Sequence, residues 1–317
     1  MHIGVNNAVV SKMDLTIDER YALIARAGFT AIDMGMSGGA STRNLDYEGK
    51  CIFEKSLEEV KEYYKEHIAA IRKHGLFVTQ GHAPQPAYVA GHPEVTEYCI
   101  RIYKRIIEFC GYIGCPRLVI HGVDYKFDNT VDPPEEIDRL NRHLFESLIP
   151  ELLQYNVMAC MENLYVRKYM TDNNDLFIEG PASDPTATAL LIDELNEKAG
   201  REVFGLCLDT GHMHIVRKDA RTYIPILGKR IKALHLNDNN CNSDAHLVPL
   251  AGNAEWDSIC KALKSVGYCG DISFELGGHF GKICAFDPEL VLPWLELTHK
   301  TGMVFQKRIQ NEPPLCP

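Results

Sequence analysis

The sequence contains no apolar run approaching the roughly 18 to 20 residues needed to cross a bilayer. Its first residues, Met1, His2, Ile3 and Gly4, lack the basic segment followed by an apolar one that marks a secretory leader. Both absences lead us to expect a cytoplasmic protein without membrane contact. Clusters of lysine and arginine are missing too. The 33 basic residues are outnumbered by 43 acidic ones, which gives a formal charge of −10, and no stretch is suited to tracking a phosphate backbone. Nucleic acid is therefore disfavoured as a partner. There is no CxxC pair. The eleven cysteines are scattered, several of them inside apolar stretches (Cys99, Cys110, Cys160, Cys207), and read as small buried thiols in a reducing compartment. With no linker, repeat or low-complexity tract, residues 1–317 are expected to form one domain, ending in a short extension over about 304–317.

With 45% apolar residues the chain has ample material for a core. Short β-branched and apolar runs alternate with longer segments of helical period. Strands are expected near 2–6, 29–33, 76–81, 116–121, 156–162, 203–208, 230–236 and 270–275. Helices are expected near 17–27, 56–74, 93–113, 134–154, 185–198, 219–227, 255–266 and 287–301. Eight alternating units make an α/β protein with a parallel sheet, and eight is the number that closes into a single (β/α)8 TIM barrel. A doubly wound open sheet is the competitor. The loops favour the barrel. Six of the seven helix-to-strand connections carry a glycine where a helix ends in a left-handed residue (Gly28, Gly75, Gly114, Gly200, Gly228, Gly267), and the seventh carries Asn156. Most strand-to-helix connections are long, the longest being about 163–184. Tight caps at one end and long loops at the other distinguish the stability face of a barrel from its functional face. The residues Tyr165, Tyr169, Asn173 and Asn174 of the longest loop suit a hydroxyl-rich ligand.

In a barrel, a polar residue ending an apolar strand points into the mouth. Such residues are His82 in VTQGHAP, His121 in RLVIHG, Glu162 in MACMENL, Asp209 and His212 in GLCLDTGH, His235 in KALHLND and Glu275 in ISFELGG. Asp244 and His246 follow in the loop after strand seven. Taken singly, a buried glutamate is a salt-bridge partner and a lone histidine a satisfied core residue as readily as a ligand. Taken together, Glu162, Asp209, His235 and Glu275 end four consecutive strands, and neighbouring strands lie about 4.8 Å apart, so the four can converge on one ion. Three carboxylates and one imidazole form an oxygen-rich set that suits manganese, magnesium or cobalt better than a structural zinc.

These motifs, above all LDTGH, HLND and the FE pair ending in Glu275, resemble the xylose-isomerase-like barrel superfamily over about residues 2–300. That superfamily holds sugar isomerases and epimerases, inosose dehydratases and apurinic endonucleases related to endonuclease IV. In the sugar epimerase branch the resemblance implies one divalent metal, commonly manganese, on Glu162, Asp209, His235 and Glu275. Glu162 and Glu275 would also act as acid and base, with His212 touching substrate. His82, His121 and His246 are assigned here as further substrate contacts. In the endonuclease branch it implies three zinc ions on His82, His121, Glu162, Asp209, His212, His235, Asp244, His246 and Glu275. The chain departs from the ketose epimerases in having Cys241 where they carry arginine and Lys168 where they carry glutamate.

The function expected is therefore metal-dependent isomerisation or epimerisation of a small sugar-like compound, by proton transfer beside a carbonyl. The same groups suit β-elimination from a keto-sugar or keto-inositol. A zinc-dependent phosphodiesterase of the apurinic endonuclease type is a second class, and a non-catalytic sugar-binding barrel or partner subunit a third. A homo-oligomer is compatible with all of them.

Overall fold

The structure is a computed structural model that describes residues 1–39, 42–123, 134–168 and 176–310. Among these residues ten strands form. Eight of them, β1 (Ile3–Asn6), β2 (Ala31–Gly35), β3 (Phe77–His82), β4 (Arg117–Ile120), β5 (Met158–Glu162), β8 (Phe204–Asp209), β9 (Ile231–His235) and β10 (Ile272–Phe274), make one sheet in the order β10-β1-β2-β3-β4-β5-β8-β9. Strand β1 pairs in parallel with β10 and β2, β4 with β3 and β5, and β5 with β8. The two ends of this order meet. Leu236, just past β9, bridges Phe274 of β10 in parallel, its N–H donating to Ser273 O at 2.8 Å. The chain is a single TIM barrel, as the alternation of its sequence leads one to expect.

By packing the chain divides into two compact units. The first comprises residues 1–34, 66–79 and 208–317. It holds the helices α1 (Ile17–Arg26), α7 (Thr210–Ile215), α8 (Ala220–Leu227), α9 (Trp256–Ser265), α10 (Gly277–Phe286) and α11 (Val291–Gln310). Helix α1 begins at a reciprocal cap, in which Glu19 N–H donates to Thr16 Oγ1 and Thr16 N–H donates to Glu19 Oε2. Val5, Ile32, Leu208, Leu234 and Phe274 are wholly buried in its core. Helix α11 continues nine residues beyond the expected end at 301, so residues 304–310 of the expected extension are helical. Residues 311–317 lie outside the described residues.

The second unit comprises residues 35–65 and 80–207, with α3 (Pro93–Ile113), α4 (Pro134–Glu146), α5 (Ile149–Tyr155) and α6 (Pro185–Ala199); α2 (Leu57–Lys73) begins in this unit and ends in the first. Strands β4 and β5 are buried on nearly every residue, as parallel strands covered on both faces must be. The expected 163–184 loop contains structure of its own. Strands β6 (Tyr165–Lys168) and β7 (Leu176–Glu179) pair antiparallel as a hairpin. Tyr165 is buried within it; Tyr169, Asn173 and Asn174 lie outside the described residues.

All six cap glycines, and Asn156, have positive φ. At Gly28 a side chain is excluded twice over, because φ is +103° and a Cβ would lie 2.6 Å from His299 Nδ1. Nine cysteines are free, eight of them buried.

Candidate functional site

The strand-end rule places its residues where it predicts. His82 closes β3, Glu162 closes β5, Asp209 closes β8 and His235 closes β9; His121 and Glu275 follow immediately on β4 and β10. Alternation along the strand explains the pattern. In β8 the apolar side chains Leu206 and Leu208 take one face, and Asp209 shares the other with Cys207. The register of β5 on β8 sets Glu162 beside Cys207, two residues before Asp209.

In the first unit, Asp209 caps α7. Its Oδ1 accepts from His212 N–H at 2.6 Å and its Oδ2 from Asn237 Nδ2 at 2.7 Å. The cap turns α7 so that His212 faces back, with Nδ1 3.8 Å from Asp209 and Nε2 3.5 Å from Asp244. His235 is fully buried and lies between two carboxylates. Its Nε2 is 2.9 Å from Asp33 Oδ2, and its Nδ1 is 3.5 Å from Glu275 Oε2. His246 sits in the loop after β9, with Nδ1 3.0 Å from the Glu275 carbonyl and Nε2 3.1 Å from Asp244 Oδ1. Histidines 212 and 246 and Asp244 each offer a ligand atom within 4.8 Å of the others. Burial opposes ionisation of Asp244, yet the rings of His246 and His212 hold its carboxyl well below the usual range. Burial alone would lower His246, but the charges of Asp244 and Glu275 lift it to about 10.

In the second unit, two histidines aim at one buried carboxylate. His82 Nε2 and His121 Nε2 lie 3.3 and 3.2 Å from Glu162 Oε2, and the two rings meet edge to face at 5.0 Å. His82 Nδ1 is 2.8 Å from Ala83 O.

The histidines share an electrostatic problem. A carbonyl only accepts, so His82 and His246 carry a proton on Nδ1, and the Asp33 carboxylate likewise takes the Nε2 proton of His235. In a neutral ring the remaining nitrogen presents a lone pair. That lone pair faces Glu162 in His82 and Glu275 in His235, whereas the raised pKa of His246 leaves a proton between its Nε2 and Asp244. Two lone pairs 3.3 to 3.5 Å apart repel unless a proton or a cation lies between them. A histidine fixed through one nitrogen, with the other aimed among carboxylates, is how metal-bound imidazoles are oriented. The donor set thus fits a divalent cation.

Two residues of the site are absent from those the sequence singles out. Asp33 lies in the middle of β2, two residues before its end and between the buried Ile32 and Met34, so the strand-end rule passes over it. Asn237 carries no such signal either, because its partner Asp209 lies 28 positions away. At the two departures from the ketose epimerases, Cys241 Sγ lies 3.2 Å from His214 Nε2, and Lys168 ends β6 exposed.

Residues 21–289 match the family described as a xylose isomerase-like TIM barrel, and the chain belongs to that family. It is similar to an uncharacterized protein, y4fM, of Sinorhizobium fredii, with 23% identity over 262 residues covering 80% of this chain and 78% of that one. Among solved structures it resembles a D-psicose 3-epimerase from Clostridium cellulolyticum with D-tagatose (14% identity, TM-score 0.67, 96% of this chain and 99% of that one). It also resembles a 3-keto-D-glucoside 4-epimerase from E. coli (14% identity, TM-score 0.63, 94% and 99%). At these identities the likeness is one of fold. No described helix is long and apolar enough to cross a membrane.

Proposed function

We propose that the protein is a metal-dependent isomerase or epimerase that moves a proton beside the carbonyl of a small sugar-like substrate. The observation that carries this reading is the placement of His235, held by Asp33 through Nε2 and aimed through Nδ1 at the Glu275 carboxylate. In this reading Glu162, Asp209, His235 and Glu275 hold one divalent ion, with manganese the best match to three carboxylates and one imidazole. When bound, the ion would stabilise negative charge on the substrate oxygens as an enolate develops.

The chain's own groups do the rest. Glu275 takes the proton from the carbon beside the carbonyl, and Glu162 returns one from the other face. His82, His121, His212 and His246 bind substrate hydroxyls. The resembling solved structures are sugar epimerases, which supports taking sugar chemistry first. Elimination from a keto-sugar would use the same two carboxylates. Neither nucleic acid nor a membrane is a partner in this reading.

A second reading has its own observation. His82 and His235 aim lone pairs at two different carboxylates, and His212, Asp244 and His246 form a further cluster of ligand atoms, an arrangement suited to more than one cation and so to a three-metal phosphodiesterase. The charge of −10 opposes it, because a phosphate backbone would be repelled. The test is turnover of a panel of ketoses and keto-inositols by manganese-loaded protein in deuterated water. Deuterium entering beside the carbonyl supports the first reading. No exchange with any sugar, together with incision of an abasic duplex, replaces it with the second.

A further inference from the structure

Asp238 follows the strand-end segment His235–Asn237 and takes no part in the chemistry proposed above. It is wholly buried, and its carboxylate accepts four hydrogen bonds. Oδ1 accepts from Asn239 N–H at 2.8 Å and Ala254 N–H at 3.1 Å. Oδ2 accepts from Leu250 N–H at 3.0 Å and from the Trp256 indole at 2.7 Å. Its backbone is used as fully, since Asp238 and Leu247 exchange both N–H···O bonds at 2.8 Å. One residue therefore ties down two loops. Its backbone closes the base of the segment Asn239–His246, and its side chain gathers the segment Leu247–Trp256 around itself.

The first of these loops carries Asp244 and His246. His246 adopts φ +44°, a conformation that a non-glycine residue keeps only where the surroundings enforce it. The enforcement is visible on both sides. Leu247 is held by Asp238, and the His246 ring is held by the Glu275 carbonyl. The space around the carboxylate is equally determined, because a Cβ on Gly252 would collide with Asp238 Oδ1.

We infer that Asp238 is a positioning residue, which fixes the Asp244–His246 pair against Glu275 by anchoring both loops after β9. The use made of that pair rests on the function proposed above, but the anchor itself does not. Asp238→Asn keeps the shape and turns one acceptor into a donor facing N–H groups. Hydrogen exchange followed by mass spectrometry should then show peptides covering Asn239–Ala254 exchanging at least about 10-fold faster, with β9 unchanged. Calorimetric titration with Mn2+ should show at least about 10-fold weaker binding per folded molecule. Trp256→Phe removes one donor of the four and should loosen the same peptides less.

A residue of merely structural importance would lower the unfolding temperature while leaving the Mn2+ affinity of the folded protein unchanged, and that result overturns the inference. So does wild-type exchange over Asn239–His246 in folded Asp238→Asn. If Asp238→Asn does not fold, Trp256→Phe and Gly252→Ala disturb the same carboxylate, and wild-type exchange in both overturns the inference in its place. Should wild-type protein bind no Mn2+, the proposed function fails, and the exchange measurement alone decides the anchor.

Discussion

His235 Nε2 lies 2.9 Å from Asp33 Oδ2, and this contact fixes which ring nitrogen of His235 is left to face Glu275. An aspartate in the middle of β2 thus sets the tautomer of a histidine 202 positions further on. Asp33→Asn presents an amide whose rotation decides whether it accepts or donates. The ring loses its charged partner, and affinity for Mn2+ should fall by about 10- to 100-fold, the range typical when such an outer partner of a metal-bound histidine is lost. Calorimetric titration checks it, and unchanged affinity would separate Asp33 from the metal.

Glu275→Gln tests the base. The amide retains the shape and one oxygen but no basicity, so turnover of an active ketose should fall by roughly 100- to 10,000-fold. Deuterium uptake beside the carbonyl should be lost with it. Normal turnover would leave Glu275 a ligand only.

Much of this site is legible in the sequence. Glu162, Asp209, His235 and Glu275 each follow an apolar run, and each stands at or just past the end of its own strand. The eight units are equally legible, because buried parallel strands are continuous apolar runs bounded by helical period. What escapes depends on contacts between distant positions. Asp33 has no motif of its own, and its role emerges only beside His235. Asp238 lies inside a recognisable motif, but its four donors come from residues spread over Asn239 to Trp256. The β6–β7 hairpin escapes because β7 is at least partly exposed at every residue and β6 ends in the exposed Arg167 and Lys168, so neither reads as the continuous apolar run that marks a barrel strand.

Gly28 tests the stability face of the barrel. Gly28→Ala must carry a Cβ at φ +103° and push it to 2.6 Å from His299 Nδ1. Unfolding free energy should drop by about 1 to 3 kcal/mol, measured by denaturant titration, with metal binding unaffected. An unchanged midpoint would mean that this turn relaxes freely.

The acid limb of stability involves Glu54. Burial would raise its pKa, but hydrogen bonds from the Tyr98 hydroxyl and from the Gly49 and Cys51 N–H groups bring it below the ordinary carboxylate value of 4.5. A folded-state pKa below the unfolded one contributes stability above about pH 4.5 and loses it as pH falls through the lowered value. Glu54→Gln should therefore lower the unfolding temperature at pH 7 and narrow its difference from wild type as the pH falls through the lowered value. A difference that is constant with pH would show that the carboxylate's ionisation is not linked to folding.

The count of bound metals separates the two functional readings most directly. One ion on Glu162, Asp209, His235 and Glu275 leaves His246 to share a proton with Asp244. If a cation sat between His246 and Asp244 instead, binding it would expel that proton, and uptake would weaken as pH falls. Protein stripped with a chelator and reloaded with Mn2+ should therefore bind one equivalent, and His246→Gln should weaken that binding without changing the stoichiometry. Stoichiometry is read by elemental analysis after gel filtration. Three equivalents of zinc, two of them lost on combining His246→Gln with His82→Gln, would show that the histidine–carboxylate pairs hold metal rather than substrate. That result would move the protein to the phosphodiesterase class, and the sugar reading would fall.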